Sequence, residues 1–339
     1  MKKLTALAAT MLALSAALLG SASAAPFRLI VTDTETPLVP NSVIDLALQG
    51  GYFERAGVEV ELVRVQQTPM ALTALQAGEG EMANVAVDAV LQLVARGADD
   101  LRAVNSPNKS LPFLIAARNT IATPADLAGK PFGVGRVGSL DHSLSLKVLS
   151  DAGVDTSKLE IVPLGQPNIR AQALLAEQID ATTMSIGTYT TMPDHDGIKI
   201  LVGVDDYYKA APVVSKVNVV STATLEQRGD DVQHVIEAIL LASRDFAASP
   251  EKWVAAMGEA RPDVSADDLN ALAKAFAGSW SVNGGLDKAE LEFTENWLYE
   301  GEDFKDLKRV ALTDWVDFAP LDAVLAANGV SEGNDPATR

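Results

Sequence analysis

The 339-residue sequence contains no cysteine. That excludes a disulfide framework, a thiolate metal site and a cysteine nucleophile. Basic residues are scarce: 27 Lys and Arg stand against 45 Asp and Glu, a net charge of −18. So acidic a surface is repelled by a phosphate backbone, which argues against nucleic acid as a partner. There are only three histidines, and no G-x-S-x-G elbow to carry a hydrolase serine. Beyond Leu19 no run is long and apolar enough to cross a bilayer. What is present is an ordinary globular mixture, 48% apolar and 21% charged, at a length that suits two lobes.

The N-terminus has the form of a secretory signal peptide, residues 1–24. Met1-Lys2-Lys3 is a short basic start, Leu4 to Leu19 an apolar run, and Ala22-Ser23-Ala24 a small-residue cleavage site. Cleavage after Ala24 is expected to release a periplasmic chain, since no cysteine could carry a lipid anchor. Loss of Lys2 and Lys3 leaves 25 basic residues against 45 acidic ones, a net charge of −20. Outside the cytoplasm ATP and NAD(P)H are scarce, so nucleotide-driven chemistry is disfavoured.

From Phe27 the pattern alternates strands and helices. Phe27 to Val31, Val58 to Val65, Met82 to Val87 and Leu101 to Val104 read as strands. Thr68-Pro69 marks one helix start and Asp88 another. The pattern repeats at Lys130 to Val134, Leu159 to Leu164, Ala181 to Met184 and Ile198 to Val202, with Ser139 and Asn168 as helix caps. Ala56-Gly57-Val58 is matched by Ala152-Gly153-Val154. Two α/β lobes of one design follow, each with a parallel sheet covered by helices. Pro112 to Ala117 and Val213 to Val220 are the apolar crossings between them. The expected division is 25–117 plus 218–330 for lobe one and 118–217 for lobe two, with 331–339 a frayed polar tail. Ala117 to Thr120 and Ser215 to Asn218 are the expected hinge segments, and the ligand cleft lies between the lobes. From Thr224 the chain reads as helical, and its four tryptophans as packing residues.

Gly133-Val134-Gly135-Arg136-Val137-Gly138 matches the G-x-G-x-x-G dinucleotide fingerprint between a strand and a helix. The next strand ends in Val162-Pro163-Leu164-Gly165, with no acidic residue for a ribose, so no nucleotide cofactor is expected. The loop is useful as backbone N–H groups open to an anion. Asp194-His195-Asp196-Gly197 reads as an acidic turn rather than a metal site, and His234 as a surface residue of a helix. No metal is expected. Small polar residues gather after the strands, where open α/β sheets bind ligands. Thr34, Gln67, Thr68 and Asp88 are the candidate contacts from lobe one. Ser139, His142, Asn168 and Thr183 are those from lobe two. Helix caps favour an acceptor group on the ligand, and Asp88 a donor at the other end, as in an amino-sulfonate or an aminopyrimidine.

The run Gly50-Gly51-Tyr52-Phe53-Glu54-Arg55-Ala56-Gly57-Val58-Glu59-Val60 resembles a signature of type II periplasmic solute-binding proteins. So do Ala74-Leu75-Gln76-Ala77-Gly78, Ala125-Asp126-Leu127-Ala128-Gly129-Lys130-Pro131-Phe132-Gly133-Val134 and Ala173-Leu174-Leu175-Ala176-Glu177-Gln178-Ile179-Asp180-Ala181. The branch binds nitrate, taurine, alkanesulfonates and thiamine-pyrimidine precursors. The resemblance runs from Phe27 to Phe318. It implies a lobe one built from both chain ends, a lobe two inserted in the middle, and delivery of solute to an ABC permease whose ATPase is a separate chain. The acidic loop Asp33-Thr34-Glu35-Thr36 departs from what a simple anion site would carry; Arg136 and Arg170 are the nearby cations.

The reading is therefore a monomeric, non-enzymatic binding component of an importer, with a small polar organic molecule as its solute. Two alternatives are an enzyme on the same scaffold, like those making thiamine's pyrimidine, and a ligand-dependent partner of a membrane sensor.

Overall fold

A computed structural model describes residues 25–107, 113–333 and 335–337. The signal peptide, Pro112 at the start of the first crossing and the last residues of the tail lie outside them. Where the tail is described it is held and not frayed: Asp335 is buried and accepts from Asn283 N at 2.6 Å. Ten strands form two five-stranded sheets. The first contains β1 (Phe27–Val31), β2 (Val60–Arg64), β3 (Met82–Ala86), β4 (Leu101–Asn105) and β10 (Lys216–Ser221), in the order β2-β1-β3-β10-β4. The second contains β5 (Phe113–Arg118), β6 (Pro131–Val134), β7 (Glu160–Pro163), β8 (Ala181–Ser185) and β9 (Ile198–Val202), in the order β7-β6-β8-β5-β9. The two orders correspond strand for strand, so the repeat visible in the sequence is a repeat of topology.

Burial follows strand position. Strand β1, Phe-Arg-Leu-Ile-Val, is flanked on both sides and almost wholly buried. Its large apolar side chains each contribute about 1.5–3 kcal/mol by leaving water. Strand β2 lies at the edge, and its alternating sequence is buried on one face only near its start.

The sheets are not wholly parallel, which corrects the expectation. β1 pairs parallel with β2 and β3, but β10 runs antiparallel to both β3 and β4. Likewise β5 runs antiparallel to β8 and β9. The cause is chain path. Each of these strands has just crossed from the other lobe, so it enters its sheet at the edge where the parallel strands end.

The lobe boundary is corrected for the same reason. Residues 113–117, expected in lobe one, form most of β5 in the second sheet, and Lys216 and Val217 belong to the first. Ala117 and Arg118 pair with β8 or β9 and cannot serve as a hinge. The helix Val204–Ala210 packs on β5, so the second crossing is 211–215.

Strand β10 is pinned by buried amides. Asn84 Nδ2 donates to Asn218 Oδ1 at 2.9 Å, and Asn218 Nδ2 donates to Asn105 Oδ1 at 2.9 Å. A buried amide is tolerated only when bonded, so a register slip here is costly. The C-terminal helices complete lobe one. The longest, Thr222–Ala248, packs on helices Ser42–Gln49, Tyr52–Ala56 and Ala319–Asn328. Trp253, Trp280 and Trp315 are buried, and Trp297 is partly buried. No helix of the described residues is long and apolar enough to cross a membrane.

Candidate functional site

The carboxyl ends of the parallel strands from both sheets face one cavity of about 420 Å³. From lobe one come the loop after β1, the turn Gln66–Pro69 after β2, the start of the helix Val87–Ala95 after β3, and Ser215 and Lys216 at the head of β10. From lobe two come Phe113, the glycine-rich turn after β6, residues 165–168 and Arg170 after β7, and Ser185, Thr188 and Thr191 after β8. The lobes touch at the rim, where Gln166 Nε2 donates to the Gln66 carbonyl at 2.7 Å. Leu38 abuts Gly187, where an added Cβ would come within 3.0 Å of the Leu38 side chain.

The structure brings Gln67, Thr68, Asp88, Ser139 and Asn168 to the cavity wall. It does not bring Thr34, His142 or Thr183 there. Thr34 is exposed on its loop, and the nearby cavity threonine is Thr32, which accepts from Lys216 Nζ at 2.9 Å. His142 holds its own helix start: Nδ1 accepts from Gly138 N at 3.2 Å, and burial lowers its pKa. Thr183 is buried behind the wall, sharing a 2.8 Å hydrogen bond with Ser145. Three helix starts shift by a residue or two. Gln67, Ala86 and Gln166 occupy the cap positions, with Thr68, Asp88 and Asn168 inside the first turn. His234 is half-buried on its helix, with Nδ1 turned inward near Gly57. His195 bonds the Tyr189 carbonyl at 2.8 Å, and no metal-holding cluster occurs among the described residues.

The glycine-rich turn does receive an anion, but it is the chain's own. Asp141 Oδ2 accepts from Gly135 N at 2.7 Å, and Ser139 Oγ donates to Oδ1. Arg170 stands behind, 3.6 Å from Asp141. Its guanidinium donates to the Gly165 and Thr183 carbonyls and to Thr182 Oγ1 at 2.6, 3.1 and 3.2 Å. Burial lowers its pKa, and these bonds hold it in place. A Cβ at residue 135 would meet Asp141 Oδ1 at 3.0 Å, so glycine is what admits the carboxylate.

The acidic first loop is matched by cations that sequence order hides. Lys216 lies 3.7 Å from Asp33, and Arg261 lies 3.7 Å from Glu35. Both cations line the cavity. Asp88 is different. It is 4% exposed, and its Oδ1 has no hydrogen-bond partner among the described residues. Burial raises its pKa to about 6, while backbone N–H groups of its own helix start and the charge of Arg136 act against that rise.

The NMT1/THI5-like family model matches residues 42–253. The chain belongs to this family. Solved structures similar to this NMT1/THI5-like chain share its fold. The alkanesulfonate-binding protein SsuA of Xanthomonas axonopodis pv. citri, bound to MOPS, is 20% identical with a TM-score of 0.70, over 88% of this chain and 100% of its own. The ligand-binding component of an ABC-type import system of Staphylococcus aureus, with zinc bound, is 14% identical with a TM-score of 0.70, over 88% and 98%. The desulfurization enzyme DszB is 16% identical with a TM-score of 0.62, over 89% and 99%. Comparison with curated proteins gives no match.

Proposed function

We propose that the chain is the solute-binding component of an ABC importer. In this reading it is exported by its signal peptide, works as a periplasmic monomer, and hands a small polar organic molecule to an inner-membrane permease. The observation that carries the reading is the interlobe cavity. Its size falls within the range of small-molecule sites, and both lobes wall it with the carboxyl edges of their strands. Contacts divided between two lobes are complete only when the lobes meet, so ligand binding and closure are the same event. The crossing through 211–215 is a hinge segment in this scheme. The family match and the fold shared with transport binding proteins support the assignment.

Turnover is not part of the reading. Three of the cavity's four carboxylates, Asp33, Glu35 and Asp141, are engaged with cations or backbone N–H groups, and the histidines lie outside its wall. The test is to purify the native protein without denaturant, release and identify any small molecule by mass spectrometry, and titrate it back into stripped protein. Stoichiometric rebinding with the compound recovered unchanged is expected. Recovery of a converted product would overturn the binding role in favour of an enzyme.

A further inference from the structure

Eight charged residues line the cavity, four acids and four bases. Six form pairs across short distances: Arg170 with Asp141, Lys216 with Asp33, and Arg261 with Glu35. Asp88 and Arg136 are left over. Asp88 belongs to lobe one, Arg136 to lobe two, and the two are near enough for the guanidinium's charge to act on the carboxylate. Among the described residues the Arg136 side chain makes no ion pair and no hydrogen bond. Asp88 Oδ1 is buried and has no hydrogen-bond partner among the described residues.

A carboxylate oxygen left in that state is costly, because the N–H groups of its helix start and the distant guanidinium offset its lost hydration only in part. The six paired charges show that this wall satisfies its ions where the fold alone requires it. An unpaired acid on one lobe thus faces the same cavity as an unpaired base on the other. We propose that the cavity selects a zwitterion: an ammonium or protonated ring N–H donating to Asp88, and a carboxylate or sulfonate facing Arg136, joined by an apolar body lying against Leu38, Phe113 and Leu140. A ligand with both ends satisfies one charge on each lobe and so gains most when the lobes are together. An acid alone leaves Asp88 unpaired. An amine alone leaves Arg136 to water, which costs less because Arg136 is exposed. This inference rests on the solute-binding reading.

The test uses ligand-stripped full-length protein and two matched trios in calorimetry. One is 3-aminopropanesulfonate, propanesulfonate and propylamine. The other is 4-(aminomethyl)benzoate, 4-methylbenzoate and 4-methylbenzylamine. A thermal-shift panel of amino acids, organic acids, amines and uncharged metabolites is run beside them. The expected result is that hits concentrate among zwitterions, and that in at least one trio the zwitterion binds about tenfold or more tighter than either truncated form. Asp88→Asn should abolish the preference over the acid, and Arg136→Gln the preference over the amine, with circular dichroism unchanged in both. Hits confined to plain acids, plain amines or neutral compounds would overturn the inference and leave the binding role standing. So would an Asp88→Asn variant that keeps the full preference. No hit in any charge class would overturn both together.

Discussion

Replacing Asp88 by asparagine in the ligand-free protein should stabilise it at neutral pH and leave it little changed in acid. The carboxyl rises from 3.8 to about 6 because burial disfavours the ionised form. At about 1.36 kcal/mol per pH unit, that displacement corresponds to about 3 kcal/mol. The sign follows from proton counts. Between pH 3.8 and about 6 the folded state retains a proton that the unfolded chain has released, so stability from this group falls as pH rises through that window and levels off above it. Asparagine keeps the shape and removes the titration; its own amide adds an offset that does not depend on pH. The assay is thermal melting of stripped parent and variant from pH 4 to 7.5, plotted as a difference. At roughly 2 °C per kcal/mol for a chain of this size, the difference should grow by on the order of 5 °C across the window, in the variant's favour. Every other titrating group is common to both proteins and cancels. A difference flat with pH would refute the reasoning, because it would mean that Asp88 is solvated or already partnered.

Gln166→Ala removes the bond that ties the rim of lobe two to the Gln66 carbonyl. At about 1 kcal/mol for one such bond, affinity for a bound solute should fall roughly fivefold, and small-angle scattering of the liganded variant should show a larger radius than the parent at equal saturation. Asn218→Ala takes a hydrogen bond from Asn84 and another from Asn105. A loss of about 2–4 kcal/mol in urea denaturation is expected; an unchanged midpoint would show that the amides do not fix the strand. Gly135→Ala puts a methyl 3.0 Å from Asp141, and should weaken solute binding while leaving the melting temperature within a few degrees. The intact mass of exported protein should correspond to a chain beginning at Ala25; retention of Met1 would rule out the cleavage site.

The alternation of strands and helices and the matched Ala-Gly-Val landmarks made two lobes of one design legible before any coordinates. Strand direction was not legible in the same way. Lys216 to Ser221 reads as an apolar strand whichever way it runs, and only its placement between β3 and β4 shows that it is antiparallel. At the site, Asp88 was found because it follows a strand and opens a helix. Thr183 was misplaced because strand β8 runs on to Ser185, so the residue that reaches the cavity is two places later. Lys216 and Arg261 carried no signal, since nothing in a sequence tells that residues 33 and 216, or 35 and 261, will be neighbours. The acidity of Asp33 and Glu35 was the one clue that cations had to arrive from elsewhere.

The position of β10 also sets an order of assembly. Among the named strands of the first sheet β4 pairs with β10, and its other bridge, from Ala103 to Val316, comes from still later in the chain. As the chain emerges from its N-terminus, residues 101–105 therefore wait without a neighbour while residues 113–210 are delivered. Those residues contain every strand of the second sheet, so lobe two has all it needs to close first. Lobe one, which begins the sequence, has no continuous sheet until residues 216–221 slot between β3 and β4 and bring the asparagine ladder into line. The cleft therefore forms after lobe two, and a chain stalled before that insertion carries a finished lobe two beside an exposed sheet edge.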